Sequence, residues 1–283
     1  MAVVVERKTC IAERNTKRIR HNSPFHTWIQ GRASRPFSLP PRAQVSVKFE
    51  LYYAYLCPPF HSEQFSEHCT TALSMDGADG VYPSSEDTFL LIEALELDTS
   101  RIVDATKNGG LCLDLGCGSG EVSEALARIT PTSFCISTDV NHLATTKTRE
   151  LLQNNGLINV DIALCDLFTA FRSTVRFDVI LFNPPYVPTD QHELEHAIAE
   201  RDIYASWAGG KDGREVIDKF LATVNYFLSD RGIVYLVTLE TNKPNEIISI
   251  AEVQGLHACQ VLKRRAGIET LYILRLGKRR DDG

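Results

Sequence analysis

Between Gly110 and Leu276 the apolar residues fall into short runs separated by stretches with helical spacing. Leu111, Cys112 and Leu113 form a run that breaks at Asp114 and then at Gly116, Gly118 and Gly120. Apolar positions resume at Val122, Leu126 and Ile129, one helical face, so this segment predicts strand, glycine turn and helix. The rhythm then repeats. Phe134–Val140 predicts a second strand ending at Asp139, and Asn141 caps a helix that Gly156 closes. Asp161–Leu167 predicts a third strand ending at Asp166. Phe177–Phe182 predicts a fourth, nearly all apolar, as suits a strand covered on both faces. A helix over 213–228, a fifth strand over Gly232–Leu239 and a helix over Pro244–Gln254 follow. His257–Lys263 and Thr270–Leu276 are joined by a turn around Ala266-Gly267 that leaves no room for a helix, so they must be antiparallel neighbours. The expected fold is α/β, a doubly wound seven-stranded sheet, mostly parallel, with a reversed last strand.

Upstream, Phe89, Leu90, Ile92 and Leu95 predict a helix over 85–97, with Ser84 and Asp87 as its capping box. Val45–Leu56 is apolar enough to add a strand. Residues 1–57 otherwise lack sustained periodicity and carry Pro24, Pro36, Pro40 and Pro41, which marks a basic, disordered extension ahead of a folded domain over 58–283.

Charge sharpens that division. Residues 1–48 hold ten Lys/Arg against Glu6 and Glu13, a net +8, so with a total of −6 the rest carries −14. An acidic domain is a poor surface for polyphosphate, which makes nucleic acid an unfavoured partner. The longest apolar candidate, Leu51–Phe60, is too short to cross a bilayer, and the first residues lack a signal-peptide core. The eight cysteines form no Cys-x-x-Cys pair, and Cys112, Cys117, Cys135 and Cys165 fall in or beside core strands. Such usage suits a reducing compartment, the cytoplasm with the nucleus left open, and argues against disulfides and bound metal.

In a doubly wound sheet the ligand lies across the carboxyl ends of the strands, so the terminal residues Asp114, Asp139, Asp166 and Asn183 hold the candidate chemistry. A nicotinamide fingerprint would need glycine at 121, where the chain has Glu121. A carboxylate after the second strand can accept from both hydroxyls of a ribose, and one after the third from the exocyclic amine of adenine. Singly, each aspartate also suits a helix cap or turn. Asn183-Pro184-Pro185-Tyr186 follows the fourth strand directly. The Asn183 side-chain oxygen and the Pro184 carbonyl can accept both N–H bonds of an amide or exocyclic amine and orient its weakly nucleophilic lone pair. Tyr186 can cover its flat face.

Asp114-x-Gly-x-Gly-x-Gly resembles motif I of the class I methyltransferases that use S-adenosylmethionine (SAM). Together with Tyr82-Pro-x-x-Glu-Asp-Thr-Phe89, Asn183-Pro-Pro-Tyr-Val and Trp207-Ala-Gly-Gly-Lys-Asp-Gly-Arg-Glu215, the chain resembles the eukaryotic and archaeal branch of the HemK family from about Pro59-Phe60-His61 to Gly277. Those enzymes are release-factor glutamine methyltransferases. The resemblance implies a Rossmann-like class I methyltransferase fold and SAM contacts at Thr88, Asp114, Gly116, Gly118, Asp139, Asp166, Leu167 and Asn183. It implies catalysis by Asn183, Pro184 and Tyr186, with substrate held by Asn183, Pro185 and Tyr186. The implied substrate is the glutamine of a Gly-Gly-Gln loop in the eukaryotic class 1 peptide chain release factor. The implied partner is a small zinc-binding activator subunit in a heterodimer. Residues 62–80 are longer than the family's approach to the Tyr-Pro segment, and Gln191–Tyr204 reads as an unplaced loop whose His192 and His196 lie on a solvated helical face. An adenine-N methyltransferase acting on DNA or RNA, a lysine-directed protein methyltransferase, and a non-catalytic SAM- or partner-binding protein are the alternatives to weigh.

Overall fold

The computed structural model describes residues 80–278. The basic extension, the strand expected at Val45–Leu56, the Pro59-Phe60-His61 segment and nearly all of 62–80 lie outside the described residues. Within them run α1 (Glu86–Leu97), α2 (Thr99–Thr106), β1 (Leu111–Leu115), α3 (Glu121–Ile129), β2 (Phe134–Asp139), α4 (His142–Asn154), β3 (Val160–Leu164) and β4 (Phe177–Phe182). They continue with α5 (Gln191–Glu200), α6 (Glu215–Phe227), β5 (Leu228–Leu239), α7 (Pro244–Val253), β6 (Leu256–Ala266) and β7 (Glu269–Lys278). Short 3₁₀ turns occupy Ile203–Ser206, Lys211–Gly213 and Glu240–Asn242.

The seven strands lie in the order β3-β2-β1-β4-β5-β7-β6. β1 through β5 are parallel and β7 alone runs against its neighbours, as the short final turn requires. Period-two alternation sends successive side chains to opposite faces. Cys112, Val179, Leu181, Tyr235 and Ile273 pack with Leu90, Leu91, Leu95, Ile102 and Leu126 on one side. Leu113, Ile180, Phe182, Leu236 and Leu274 pack with Ile217, Phe220, Val224 and Ile247 on the other. Both faces are covered, which is why β4 contains so few polar residues.

Several local expectations shift. The N-cap of α1 is Ser85, not Ser84: the Ser85 N–H reaches Thr88 Oγ1 at 3.4 Å, and its hydroxyl donates to Asp87 Oδ1 at 2.6 Å. The helix Thr99–Thr106 was hidden by a sequence with few apolar positions; Asp98 separates it from α1, pairs with Arg275 and accepts from the Tyr235 hydroxyl at 2.9 Å. β3 stops at Leu164, so Asp166 stands on the loop beyond it. β5 starts at Leu228, with a register shift against β4 between Phe177 and Val179. The unplaced loop is largely helical: Asp190 Oδ1 caps α5 by accepting the Glu193 N–H at 2.8 Å. His192 and His196 are exposed on that helix, the latter edge-on to Tyr204 with ring centroids 4.9 Å apart.

Candidate active site

Four strand ends and the loops after them meet at one cavity. Its wall includes Tyr82, Leu115, Gly116, Gly118, Asp139, Asn141, Cys165, Asp166, Leu167, Asn183 and Pro185. The turn after β1 makes its floor. Gly116, Gly118 and Gly120 all have positive φ, at 70°, 51° and 99°, which side chains other than glycine adopt with strain. An added Cβ on Gly120 would press on Thr148 at 3.0 Å, whereas one on Gly118 would meet nothing within 4 Å. One glycine is required by packing against α4, and the other faces open space. A Cβ on Gly116 would stand 3.6 Å from the Asn183 carbonyl oxygen, so the glycine turn and the Asn183 loop lie side by side.

The aspartates have different surroundings. Asp114 is 3% exposed and sits behind the cavity wall. The Ser123 hydroxyl donates to its Oδ2 at 2.5 Å, and Ser137 donates to Ser123 at 2.8 Å. Burial pushes the Asp114 carboxyl up to about 7 against the pull of the Ser123 bond, with the Asp139 charge adding a smaller push. Asp139 holds the turn itself: Oδ2 accepts the Gly118 N–H at 3.0 Å and Oδ1 the Asn141 N–H at 2.8 Å. Burial raises its carboxyl too, opposed by those backbone donors. Each oxygen of that carboxylate keeps a further lone pair for a ligand hydroxyl. Asp166 is exposed on the cavity wall beside Leu167, whose φ of 44° turns the chain there.

On the other side stands Asn183-Pro184-Pro185-Tyr186, held by distant segments. Val187 N–H donates to Trp207 O at 3.0 Å and Gly209 N–H to Val187 O at 2.9 Å. The wholly buried Asn242 donates its amide to Tyr186 O at 2.8 Å and Asp212 O at 2.9 Å, while its oxygen accepts from Leu239 N–H at 2.6 Å. A Cβ on Gly213 would lie 1.8 Å from Tyr186 O, so glycine in the Trp207–Glu215 motif is what lets the two backbones touch.

Asn183 and Tyr186 share one partner. Asp87 Oδ2 accepts from Asn183 Nδ2 at 2.9 Å and from the Tyr186 hydroxyl at 2.6 Å. Among the described residues, no donor reaches the buried Asn183 Oδ1. Such an orphaned acceptor is uncommon in a folded protein and marks a place where an outside donor belongs. Burial, then the Asp87 charge, pushes the Tyr186 hydroxyl well above its ordinary value, so it stays protonated and donates. The same two causes push Tyr82 up to about 12.

Of the residues expected from sequence, the cavity wall brings together Gly116, Gly118, Asp139, Asp166, Leu167, Asn183 and Pro185. Thr88, Asp114, Pro184 and Tyr186 lie outside it. Thr88 is buried at the start of α1, where its N–H donates to Asp87 Oδ1 at 2.7 Å. Asp87, Tyr82, Asn242 and the α5 residues Leu194 and Ile198, which cover the cavity, were not expected. Asp87 stood in plain view within Glu-Asp-Thr, but nothing local shows that it spans 96 residues to Asn183.

Residues 86–206 match the methyltransferase small domain family. The chain is 40% identical over 201 residues to human methyltransferase HEMK2, covering 70% of this chain and 90% of that protein. It is 34% identical over 217 residues to the eRF1 methyltransferase catalytic subunit mtq2 of Schizosaccharomyces pombe, covering 73% and 93%. Among solved structures it is similar to the E. cuniculi Mtq2–Trm112 complex that methylates the translation termination factor eRF1, with a TM-score of 0.52, 28% identity, and 71% and 99% coverage.

Proposed function

Because the chain belongs to the HEMK2 and release-factor glutamine methyltransferase family, we propose that it transfers a methyl group from SAM to the side-chain nitrogen of a release-factor glutamine. The residues fit that cofactor: a glycine turn with open space at Gly118 lies beside Asp139 at one end of the cavity, and an unpaired acceptor at Asn183 marks the other. SAM brings a methyl already activated on a sulfonium, so the protein needs to supply position more than chemical force. Gly116 and Gly118 let backbone come close beneath the cofactor. Asp139 takes the ribose hydroxyls, and Asp166 with Leu167 takes the adenine edge. Thr88 and Asp114 act from behind the wall, Asp114 as the carboxylate nearest the cationic methionine end.

At the acceptor end, Asn183 Oδ1 and the Pro184 carbonyl each hold one N–H of the glutamine amide. The nitrogen lone pair is left to point at the methyl, and positive charge developing on nitrogen is met by two fixed dipoles. Pro185 stiffens the loop and the Tyr186 ring flanks the amide. A second subunit completes the heterodimer, by kinship with the catalytic subunit mtq2 and the Mtq2–Trm112 complex, and a small zinc-binding activator is the proposed identity of that subunit. Among the described residues no helix is long and apolar enough to cross a membrane. The scattered cysteines support the cytoplasm, with the nucleus as the alternative, as the proposed compartment.

The orphaned Asn183 oxygen carries the reading. Asn183→Ala, purified with its activator, is expected to bind SAM within about threefold of the parent while losing at least about a hundredfold in kcat toward release factor. Undiminished methylation by that variant removes Asn183 from the reaction.

A further inference from the structure

Asn183 can serve as an acceptor only if the oxygen end of its amide faces the substrate. The two ends of an amide are nearly the same size, so packing cannot choose between them and hydrogen bonding must. We propose that Asp87 is the positioning residue that fixes this polarity, a role that rests on the methyl-transfer reading above. An ionised carboxylate is an acceptor alone. Beside Asp87 Oδ2, Asn183 has its nitrogen at 2.9 Å; the turned amide would set oxygen against oxygen there.

The rest of the network divides Asp87 between two tasks, one for each oxygen. Its Oδ1 is occupied by the Ser85 hydroxyl at 2.6 Å and the Thr88 N–H at 2.7 Å, bonds that stay within the first turn of α1. The helix start needs nothing more from Asp87. The second oxygen nevertheless reaches across to Asn183 and to Tyr186 at 2.6 Å, and so gathers both polar side chains of the acceptor loop on one atom. The Ser85 hydroxyl gives its proton to Asp87, so the Tyr82 hydroxyl, 2.9 Å away, is the donor to Ser85. Tyr82 lines the cavity, which links its wall to the same carboxylate. At 2% exposure, Asp87 is closed to water that would otherwise compete for these donors.

Asp87→Asn separates polarity from folding. The new side chain keeps an oxygen for Ser85 and Thr88, so the helix start survives. Its NH2 takes the place of Oδ2, and Asn183 then turns its oxygen inward and offers the substrate a donor. Asn183→Asp alone sets two carboxylates against each other. In the double variant Asp87→Asn with Asn183→Asp, the amide introduced at the first position donates to the carboxylate introduced at the second, whose other oxygen faces the substrate as an acceptor again.

The test compares the full chain with its activator as parent, both single variants and the double variant, reading kcat and KM toward release factor, SAM affinity by calorimetry and melting temperature. The expected result is a fall of about a hundredfold in kcat for Asp87→Asn, with SAM affinity within about twofold and melting nearly unchanged. The double variant is expected to recover at least about tenfold over either single variant. Asp87→Asn within about threefold of the parent in kcat, or a double variant no better than the singles, overturns the proposal. Side-chain amide resonances of asparagine-labelled protein give a substrate-free check: Asn183 is expected to show slow amide exchange that Asp87→Asn abolishes. Loss of that signature's dependence on Asp87 overturns the proposal even if no substrate is methylated. A parent that fails to methylate release factor while keeping the signature overturns the substrate reading instead.

Discussion

Asp114→Asn is expected to stabilise the cofactor-free protein at high pH while weakening cofactor binding. Asp114 is buried, and its carboxyl is pushed from 3.8 up to about 7. A folded-state value above the unfolded one means that the folded chain holds the proton more tightly. The stability this contributes is therefore present below about pH 4 and is lost as pH rises through 7. Three or so pH units correspond to about 4 kcal/mol at pH 8, of which about 2.5 kcal/mol accumulates between pH 5 and pH 8. Asparagine has no proton to lose, and its oxygen can still accept from Ser123. Denaturant unfolding of both proteins at pH 5 and pH 8 should show the parent losing about 2.5 kcal/mol relative to the variant. Asp139 is raised in both proteins, so its contribution largely cancels. Parallel pH profiles for the two proteins would show that the Asp114 charge is not penalised in the fold. Calorimetry should also find SAM binding strengthened in the parent as pH rises through 7, and flat in the variant.

Other residues give sharper yes-or-no outcomes. Asp139→Ala releases the Gly118 and Asn141 N–H groups along with the proposed ribose contact, so SAM affinity by calorimetry should fall at least about tenfold in a protein that still melts cooperatively; unchanged affinity refutes the ribose assignment. Gly213→Ala puts a methyl 1.8 Å from Tyr186 O at a φ of 65°, and thermal melting should report a loss of several kcal/mol, about 3 or more. Little change would mean that the loops separate freely.

Sequence reasoning reached the site through its strand ends because there an apolar run and the polar residue that stops it are neighbours in the chain. Asp139 and Asn183 are of that kind, whereas Asp114 stands one residue before the end of β1 and stays behind the wall. β3 ends at Leu164, yet Asp166 still reaches the cavity because the loop bends at Leu167. What stayed hidden is tertiary. Asp87 reads locally as part of a helix start, and the bonds to its Oδ1 are that; those to its Oδ2 join residues brought near only by the packing of α1 on the sheet. Asn242 is likewise an ordinary turn residue until Tyr186 and Asp212 are laid against it. α5 escaped because only Leu194 and Ala197 are buried on it, too few for a periodic signal.

The most direct measurement is the site of the product. Incubated with its activator, SAM carrying a labelled methyl, and release factor, the protein should place one methyl on the glutamine of the Gly-Gly-Gln loop, located by fragmentation mass spectrometry and absent when that glutamine is alanine. Label on another residue, on RNA, or on nothing would contradict the assignment of Asn183 as the group that holds a glutamine amide against the methyl donor.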